Sequence, residues 1–478
     1  MNLDLRKMEG LKSHHIPLNK GFSYGVREAE ITEGYWGGTD MAVYSEDGLI
    51  ETRRTYTNYG SALPEVASGD FYADMYGWIY AGRAGGISVG SGSSWSSITT
   101  ISSSANGSFA PLTKDLLVYC SNVAAPYTIT KSTKTAALTT GAALTDCYLG
   151  VCCTHQNRVW IAGGYLAPYP YGKIWYSDAG NPNAGYAGTS YINCGDVGVE
   201  LIVQMLSMGQ YMYVIKQNSL WVKTGSRMQG SDFTMLIRER FYPGTPAVVA
   251  GKTQDNIPAT IYAIGSGGLY AIQDVSYKKI PLPFNLQFQG LQRTGKTWHL
   301  SYWEKMGWLF LSFPDVSDLF DTYLYIYDTI RGLWYFCDNP GLYKGISTSK
   351  GEFITAHYQS KQLRDWGQLP FIGAGQQEET LTSNLKTGWN KLGSPLTQKF
   401  LHSIEIDTSA DKCQVHLRRR TDTSLGSAIY TSTIDHNGKA VYAPDYWFRD
   451  LSLKIYTSDN TPFSIRGPIK VNFWEVEI

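Results

Sequence analysis

Four aspartates at the ends of predicted strands are the residues of this sequence that could carry hydrolytic chemistry. They are Asp178, Asp196, Asp274 and Asp328. A glycosidase needs two carboxyl groups flanking the scissile bond, one as acid and the other as base or nucleophile. Aspartate is also an ordinary turn residue, because its side chain hydrogen-bonds to nearby backbone groups. The sequence therefore predicts turn positions for these aspartates and no catalytic pair.

The histidines and cysteines are too scattered to predict a metal site. The chain has 8 His and 7 Cys residues, with neither the HExxH nor the CxxC spacing that zinc sites use. Cys152 and Cys153 are neighbours on a predicted strand, so they should point to opposite faces and serve as small apolar packing residues. We expect no metal, no cofactor and no disulfide framework.

Glycine-containing motifs that resemble functional loops are better explained as hairpin turns. Residues 265–269 read GSGGL, which lacks the third glycine and the following helix of a dinucleotide-binding loop. Residues 88–95 follow the S-x-D-x-G-x-x-W box of sialidase repeats, except that Gly90 replaces the aspartate. Residues 176–180, YSDAG, match that box only in part. Since even a complete box only shapes a turn, these motifs predict no enzyme activity.

The run Arg418, Arg419 and Arg420 is the densest basic segment of the chain. In a strand, alternation sends Arg418 and Arg420 to one face and Arg419 to the other. One interpretation is a solvated sheet edge, where charge discourages aggregation. The other is a contact with a phosphate backbone or with an acidic subunit partner. These three arginines are the predicted site of subunit or DNA contact.

The composition is typical of an all-β protein. Tyrosine and tryptophan are abundant, at 34 and 14 residues, and 49 glycines can supply turns. The 41 basic and 41 acidic residues leave no net charge, which disfavours a general nucleic-acid binder but allows a local patch. The first 15 residues contain no apolar segment of a secretory signal. No apolar run reaches the ~18 residues of a membrane span.

A repeat of strand pairs organises residues 67–375. Each unit has a first, apolar strand followed by a second, aromatic strand. The first strands are WIYAG, LLVYC, RVWIA, YMYVI, IYAIG, WLFLS and FITAH, which begin at residues 78, 116, 158, 211, 261, 308 and 353. A spacing of about 40–50 residues is typical of four-stranded propeller blades. The sequence therefore predicts an all-β fold built on a β-propeller of six or seven blades; a large double-sheet sandwich is the alternative.

The clearest copy of the repeat is the hairpin at residues 158–178. Period-two alternation on both sides of a loop rich in Gly, Pro and Tyr predicts two paired strands. We expect Trp160 and Trp175 to lie on facing strands of one blade. Val159, Ile161 and Ile174 should then occupy the other face.

The flanking segments differ from the repeat. Residues 1–66 are polar and weakly periodic, and they read as an extended N-terminal arm that ends in a hairpin with Asp47-Gly48 at its turn. Such an arm packs on its own domain or reaches a neighbouring subunit. Residues 374–395 are polar and predict a boundary, after which five strand-like runs are typical of a small β-sandwich. The predicted domains are therefore 1–66, 67–375 and 376–478.

Three stretches of the repeat resemble the tail nozzle (tail tubular) proteins of short-tailed bacteriophages. The first is HQNRVWIAGG at residues 155–164 together with GKIWYSDAGNP at residues 172–182. The others are GVELIVQMLSMGQYMYVIKQNSLWVKTGS at residues 198–226 and YLYIYDTIRGLWYFCD at residues 323–338. The similarity covers roughly residues 50–370, and its motifs are structural.

The resemblance implies a structural virion protein without enzyme activity, located in the phage tail and assembled in the bacterial cytoplasm. It implies a homohexameric ring below the portal and its adaptor, the head–tail connector. Double-stranded DNA would pass through this ring without sequence specificity, and tail fibres or spikes would dock on it. The absence of net charge suits a DNA passage, because each phosphate that a protein neutralises adds affinity.

The alternative is a propeller-type host-recognition protein that binds or hydrolyses glycans. The aromatic loop GYLAPYPYG at residues 164–172 motivates it, because tyrosine rings could stack on sugar faces. A glycan array and a hydrolase screen distinguish this alternative from the nozzle.

Overall fold

The computed structural model is all-β: no α-helix occurs among the residues that it describes. These residues are 12–16, 18, 21–22, 35–39, 41–43, 50–52, 55–83, 85–92, 94–100, 107–121, 124–140, 150–162, 172–186, 189–195, 200–225, 228, 232–242, 244–251, 259–282, 298–314, 322–337, 342–357, 361–368, 384–387, 397–408, 413–420, 429–434, 439–441, 447–448, 450–456 and 463–477. Within them, no helix is long and apolar enough to span a bilayer.

Six short strands precede β7 (Ala67–Ala73) among the residues that the structure describes. They are β1 (Lys12–Ile16), β2 (Gly21–Phe22), β3 (Tyr35–Thr39), β4 (Met41–Val43), β5 (Ile50–Thr52) and β6 (Thr55–Asn58). The predicted hairpin of the arm is confirmed, because β4 and β5 pair antiparallel with Val43 opposite Ile50. Its turn lies outside the described residues.

The middle of the chain forms seven antiparallel sheets of successive strands within the described residues. Sheet 1 contains β7 (Ala67–Ala73), β8 (Ile79–Arg83), β9 (Gly86–Gly90) and β10 (Trp95–Thr100). Sheet 2 contains β11 (Gly107–Pro111), β12 (Leu116–Ser121), β13 (Tyr127–Thr130) and β14 (Thr135–Leu138). Sheet 3 contains β15 (Val151–His155), β16 (Arg158–Ala162), β17 (Lys173–Asp178), β18 (Asn181–Gly185) and β19 (Tyr191–Asn193). Sheet 4 contains β20 (Ile202–Met208), β21 (Tyr211–Lys216), β22 (Ser219–Lys223) and β23 (Phe233–Ile237).

The remaining sheets continue the same order after the short strand β24 (Gly244–Thr245). Sheet 5 contains β25 (Ala247–Ala250), β26 (Thr260–Gly265), β27 (Gly268–Gln273) and β28 (Ser276–Ile280). Sheet 6 contains β29 (Trp298–Trp303), β30 (Trp308–Pro314), β31 (Thr322–Asp328) and β32 (Leu333–Cys337), and β24 adds to β29 in parallel. Sheet 7 contains β33 (Leu342–Ser347), β34 (Phe353–His357), β35 (Leu363–Gln368) and the N-terminal strand β6.

The first strands of the seven sheets form a closed ring. β7 contacts β11, and the series continues through β15, β20, β25, β29 and β33, which contacts β7 again. Sheets of four antiparallel strands arranged around a central axis constitute a β-propeller. The fold class predicted from the sequence is confirmed.

Sheet 7 closes the ring by pairing two distant parts of the chain. β6 pairs antiparallel with β35, with Tyr56 opposite Trp366 and their ring centroids 5.6 Å apart. The guanidinium of Arg364 lies over the Tyr56 ring at 4.0 Å. Because the next strand in the sequence, β7, begins sheet 1, the end of the propeller repeat is held to its beginning.

The C-terminal part forms a sandwich that also contains the first five strands. Its strands are β36 (Asn384–Thr387), β37 (Thr397–Thr408), β38 (Cys413–Arg420), β39 (Ile429–Ile434), β40 (Lys439–Val441), β41 (Trp447–Phe448), β42 (Asp450–Tyr456) and β43 (Ser464–Glu477). One sheet has the order β4-β5-β43-β37-β40, with β1 on β43 and β41 on β37. The other has the order β2-β3-β36-β42-β38-β39. The segment predicted as an arm is thus divided between the sandwich and sheet 7.

The sandwich packs against the propeller through the N-terminal strands. β2, β3 and β4 contact β32 of sheet 6. One hydrophobic core extends from Ile404 and Leu451 in the sandwich to Trp308 and Phe310 in sheet 6. Asn384–Thr387, within the predicted polar boundary, is a strand of this sandwich. The two modules share one core.

The apolar runs that reveal the repeat are the second strands of their sheets. The predicted pairing of these runs with the strands that follow them is confirmed, as for β8 with β9, β16 with β17 and β21 with β22. The runs at residues 78, 158 and 211 correspond to β8, β16 and β21. Every residue of β8 is buried, because both faces of a second strand are covered by neighbouring sheets. The first strand β20 buries only every third residue. Its mixed sequence therefore gives a weaker signal.

Trp160 and Trp175 lie on adjacent strands of sheet 3, as predicted, but on opposite faces. Trp175 pairs directly with Ile161 and packs in one cluster with Val159. Trp160 packs on the other face together with Ile174. The predicted register was wrong by one residue, which is enough to turn every side chain of a strand to the other face.

Candidate functional site

Side chains of the first strands hydrogen-bond to the backbone of the next sheet. The Gln204 amide on β20 donates to the carbonyl of Ala247 at 2.7 Å and accepts from its N–H at 2.8 Å. The Ser108 hydroxyl on β11 accepts from the N–H of Cys152 at 2.8 Å. Such bonds satisfy backbone groups that the sheets themselves leave open. They fix the position of one sheet relative to the next.

A charged cluster lies where the last sheet meets the first. Lys344 of β33 forms an ion pair with Asp70 of β7 at 2.8 Å, and the lysine side chain is 8% exposed. The Thr245 hydroxyl donates to the same carboxylate oxygen at 3.2 Å. Burial and the positive charge of Lys344 hold the pKa of His299 well below its usual value. The imidazole is therefore neutral, and the cluster joins three elements of the ring.

A serine–histidine pair bridges sheets 3 and 4. The Nδ1 of His155 lies 2.9 Å from the hydroxyl oxygen of Ser207. Burial, with a contribution from the Lys223 charge, lowers the pKa of His155 to about 4. Lys223 is itself buried and faces Asp232 at 3.5 Å. A nucleophile–base pair needs a third group that orients and stabilises the imidazolium. A nearby cation does the opposite, so this pair fits a structural bridge better than a catalytic dyad.

The predicted carboxylates do not converge on a site. Asp178 ends β17 in sheet 3, and Asp274 lies in the turn between β27 and β28 of sheet 5 with a φ of 53°. Asp328 ends β31 in sheet 6. Asp196 lies outside the described residues. The three described aspartates belong to different sheets, as expected for turn residues.

Asp328 shows what a buried aspartate does in this fold. Its carboxylate accepts hydrogen bonds from the N–H groups of Ile330 at 3.0 Å and Arg331 at 2.9 Å. It also forms an ion pair with the Arg331 guanidinium at 2.8 Å and accepts from the Tyr335 hydroxyl at 3.2 Å. These bonds hold the turn between β31 and β32.

The five cysteines whose side chains the structure describes are packing residues. Cys120, Cys152, Cys153, Cys194 and Cys337 are free and buried. Cys152 and Cys153 pack in different hydrophobic clusters, so the prediction that they point to opposite faces is confirmed. Burial raises the pKa of the Cys194 thiol to about 12. A protonated, buried thiol is a poor nucleophile and a poor metal ligand.

The glycine motifs form turns. Residues 265–268 join β26 to β27, with Gly265 paired with Gly268, whose φ of 130° suits glycine. Residues 88–95 run from β9 into β10, with Trp95 opposite Gly90. Both hairpin predictions are confirmed.

The arginine run lies inside a sheet of the sandwich. β38 is flanked by β39 and β42, with Arg418 paired with both Ile429 and Ser452. Arg419 and Arg420 pair with Leu451 and Asp450 of β42. Their contact with a subunit or with DNA stays a prediction.

Sequence reasoning missed the polar bridges. Asp70 and Lys344 are separated by 274 residues, and no spacing rule connects them. Gln204 lies in β20, whose sequence, IVQMLSM, contains no motif that predicts a bond to another sheet. The aromatic loop at residues 164–172 lies outside the described residues, except for Gly172.

No protein-family model and no curated protein matches the sequence. Among solved structures, the fold is similar to a chain of the mitotic checkpoint complex, with 8% identity, a TM-score of 0.46, and coverage of 66% of this chain and 94% of that chain. It is also similar to U3-55K, with 6% identity, a TM-score of 0.41, and coverage of 65% of this chain and 98% of that chain. Similarity at these levels carries no argument about function, and the propeller assignment rests on the sheets described above.

Proposed function

We propose that this chain is a structural subunit of a short-tailed bacteriophage tail nozzle and has no enzyme activity. Its copies would form a homohexameric ring below the adaptor, line the channel that retains and releases double-stranded DNA, and carry tail fibres or spikes. The proposal originates in the three sequence stretches that resemble nozzle proteins. Those stretches occupy β15–β18, β20–β22 and β31–β32, all of which are propeller strands.

The observation that carries the proposal is the way in which the reactive groups are used. His155, Ser207, Lys344 and Asp70 bridge neighbouring sheets, and Asp328 holds a turn. These side chains, which could take part in catalysis, instead form bonds that hold neighbouring sheets and a turn in place. A wall that surrounds a passage needs this property, whereas an enzyme needs convergent groups around a cleft.

The shared core of propeller and sandwich is a second support. β2, β3 and β4 of the sandwich contact β32 of sheet 6, and one hydrophobic cluster contains Ile404 of the sandwich together with Trp308 of the propeller. The chain therefore offers two modules fixed relative to one another. In a cyclic ring, one face of each subunit meets a different face of the next, and a rigid subunit defines that angle.

Light scattering on the purified chain tests the proposal, together with mass spectrometry of virions. We expect a homohexamer when the phage adaptor ring is supplied, and the chain among the proteins of the particle. A chain that stays monomeric with the adaptor and is absent from particles would contradict the proposal.

The arginine run supplies a variant for the same assay. Replacing Arg418→Glu and Arg420→Glu together should lower the hexamer fraction if the run contacts a neighbouring subunit. Lys278→Glu on the exposed strand β28 is the matched control. Equal hexamer fractions for both variants would remove this site from the proposal while leaving the ring itself intact.

A further inference from the structure

The turn between β7 and β8 presents two large apolar side chains to solvent. Met75 is 71% exposed and Tyr76 is 58% exposed. Single exposed apolar residues are common on protein surfaces. Two adjacent exposed apolar residues at the tip of a turn are less common. Methionine and tyrosine are both enriched in protein interfaces. We call this pair the apolar tip.

The apolar tip is held in one conformation by its own turn. The buried Asp74 carboxylate accepts hydrogen bonds from the N–H groups of Tyr76 at 2.8 Å and Trp78 at 2.9 Å. The Asp74 N–H donates to the Trp78 carbonyl at 2.8 Å. Gly77 supplies the φ of 85° that the turn requires. A preorganised tip loses little conformational freedom when a partner binds, which favours affinity.

Lysines surround the apolar tip. The Lys134 ammonium lies 3.1 Å from the centroid of the Trp78 ring. The Lys114 ammonium lies 5.8 Å from that of Tyr76, and the Lys131 ammonium lies 5.3 Å from that of Tyr72. All three come from turns of sheet 2. Together with Lys350 they form the lysine rim.

Lys350 brings sheet 7 into the lysine rim. It lies in the turn between β33 and β34. Its side chain lies beside Gly77 of the apolar tip's turn, with the Lys350 Cε 3.4 Å from the position that a Cβ on Gly77 would occupy. The rim therefore approaches the apolar tip from the sheets on both sides. Strands alternate in direction within each sheet, so these turns lie at the same end of the propeller.

Two carboxylates beside the lysine rim accept hydrogen bonds from the turns around them. Asp74 is 4% exposed and binds the backbone of the apolar tip. Asp115 accepts hydrogen bonds from the Ser132 N–H at 2.7 Å and from its hydroxyl at 3.0 Å. Both aspartates serve to shape the surface, and the lysine rim gives it positive charge.

We propose that the apolar tip and the lysine rim form a docking surface for a protein with an apolar pocket surrounded by acidic residues. An apolar centre with a charged rim is the usual anatomy of a protein interface. A nucleic-acid surface fits less well, because the Lys134 ammonium, 3.1 Å from the Trp78 ring centroid, covers a ring face on which a base would stack. An exposed methionine also gives no electrostatic gain with phosphate. The inference goes beyond the proposed function and depends only on this face of a single chain.

The test uses the full chain and defined synthetic probes. The main probe is a fluorescent 16-residue peptide of alternating acidic and large apolar residues. Two matched peptides replace the acidic residues by lysine or the apolar residues by serine, and a 16-nucleotide oligothymidine reports nucleic-acid binding. Fluorescence anisotropy measures Kd for each probe, and circular dichroism checks that each variant is folded.

The acidic apolar peptide should bind with saturation, and both matched peptides should bind at least roughly tenfold more weakly. Tyr76→Ser, and Lys114→Glu combined with Lys134→Glu, should each weaken binding by about tenfold or more. Val275→Ser and Lys278→Glu are matched controls on sheet 5, where Val275 is 52% exposed, and they should leave Kd unchanged.

Three results would overturn the inference. The first is no saturable binding of the acidic apolar peptide. The second is an equal loss of affinity in the sheet 5 controls. The third is oligothymidine binding that is tighter than peptide binding and insensitive to Tyr76→Ser, which would assign the lysine rim to nucleic acid. None of these outcomes depends on whether the chain forms a ring.

Discussion

The second strands of the propeller sheets and first strands such as β20 and β33 are stabilised by different contacts. In β16, Val159, Trp160 and Ile161 are completely buried among apolar neighbours. In the first strands, Gln204 and Lys344 bind groups of the adjacent sheet. Apolar burial is non-directional and grows with the area removed from water. Hydrogen bonds and ion pairs depend on distance and angle.

The difference separates the source of stability from the source of geometry. The apolar layers between sheets supply most of the free energy of folding, because each buried large side chain contributes about 1.5–3 kcal/mol. A polar bridge contributes a net of only about 1 kcal/mol. A polar bridge fixes the position of one sheet relative to the next, and the ring closes only when every sheet has the correct relative position. Substitutions in the apolar layers should therefore lower the free energy of unfolding more than substitutions in the polar bridges.

The largest effect is expected for Trp160→Ala in the apolar layer. The side chain is fully buried, and its indole N–H donates to the His155 carbonyl at 3.0 Å. We expect the free energy of unfolding to fall by about 3–5 kcal/mol, as for other buried large-to-small changes. Urea denaturation measures it. Tyr277→Ala, at a residue that is 50% exposed, is the control, and equal losses for both variants would refute the burial of Trp160.

A smaller loss is expected for Asp70→Asn at the ring closure. The change keeps the side-chain shape but removes the negative charge that balances the Lys344 ammonium. Complete burial would make the cost larger, but the Asp70 side chain is 29% exposed. We therefore expect a loss of about 2 kcal/mol. Asp274→Asn, in an exposed turn, should change the free energy of unfolding by less than about 0.5 kcal/mol. A loss at Asp274 as large as that at Asp70 would argue against the ion pair.

The polar bridges should also make stability depend on pH. The pKa of His155 is lowered to about 4 in the folded chain, whereas an unfolded histidine has a pKa of about 6.5. Between these values the unfolded state binds more protons, so stability rises with pH and falls as the solution is acidified towards pH 4. One such histidine gives a slope of up to about 1.4 kcal/mol per pH unit.

His155→Gln isolates this contribution. Stability curves from denaturation at several pH values should become less steep between about pH 4 and 6.5 in the variant. His357, whose pKa burial and Arg364 also lower to about 4, should give a parallel result when changed to Gln. A slope identical to that of the unchanged chain would show that His155 is already protonated in this range.

The smallest effect is expected at the surface. Tyr76→Ser should change the free energy of unfolding by less than about 0.5 kcal/mol, because the side chain is mostly solvated. Differential scanning calorimetry can compare it with Trp160→Ala. A large drop in Tm for Tyr76→Ser would place this residue in the core and remove the basis for the docking surface.

The apolar layers could be predicted from the sequence, and the polar bridges could not. Strands such as β8 and β21 are buried along most of their length, so their runs of apolar residues reveal both the repeat and the propeller. First strands such as β11 and β20 are only partly buried and carry ordinary polar residues. The sequence therefore indicated strand pairs such as β8–β9 and β21–β22 and the period of the repeat, but it did not indicate the first strand of each sheet.

Long-range pairing explains the other differences. β6 joins sheet 7 through partners about 300 residues away in sequence, such as Asn58 with Arg364. Nothing in the local pattern of residues 55–58 indicates that pairing. The division of the N-terminal strands between sandwich and propeller follows from the same kind of contact. The lysine rim also assembles residues from sheets 2 and 7, so no single stretch of sequence reveals it.

Cryo-electron microscopy of the chain together with the phage adaptor ring tests the proposed function most directly. We expect class averages with six-fold symmetry and a central hole, with the propeller and sandwich fixed at one angle in every subunit. Class averages that show only single subunits, or a closed centre without rotational symmetry, would contradict a nozzle.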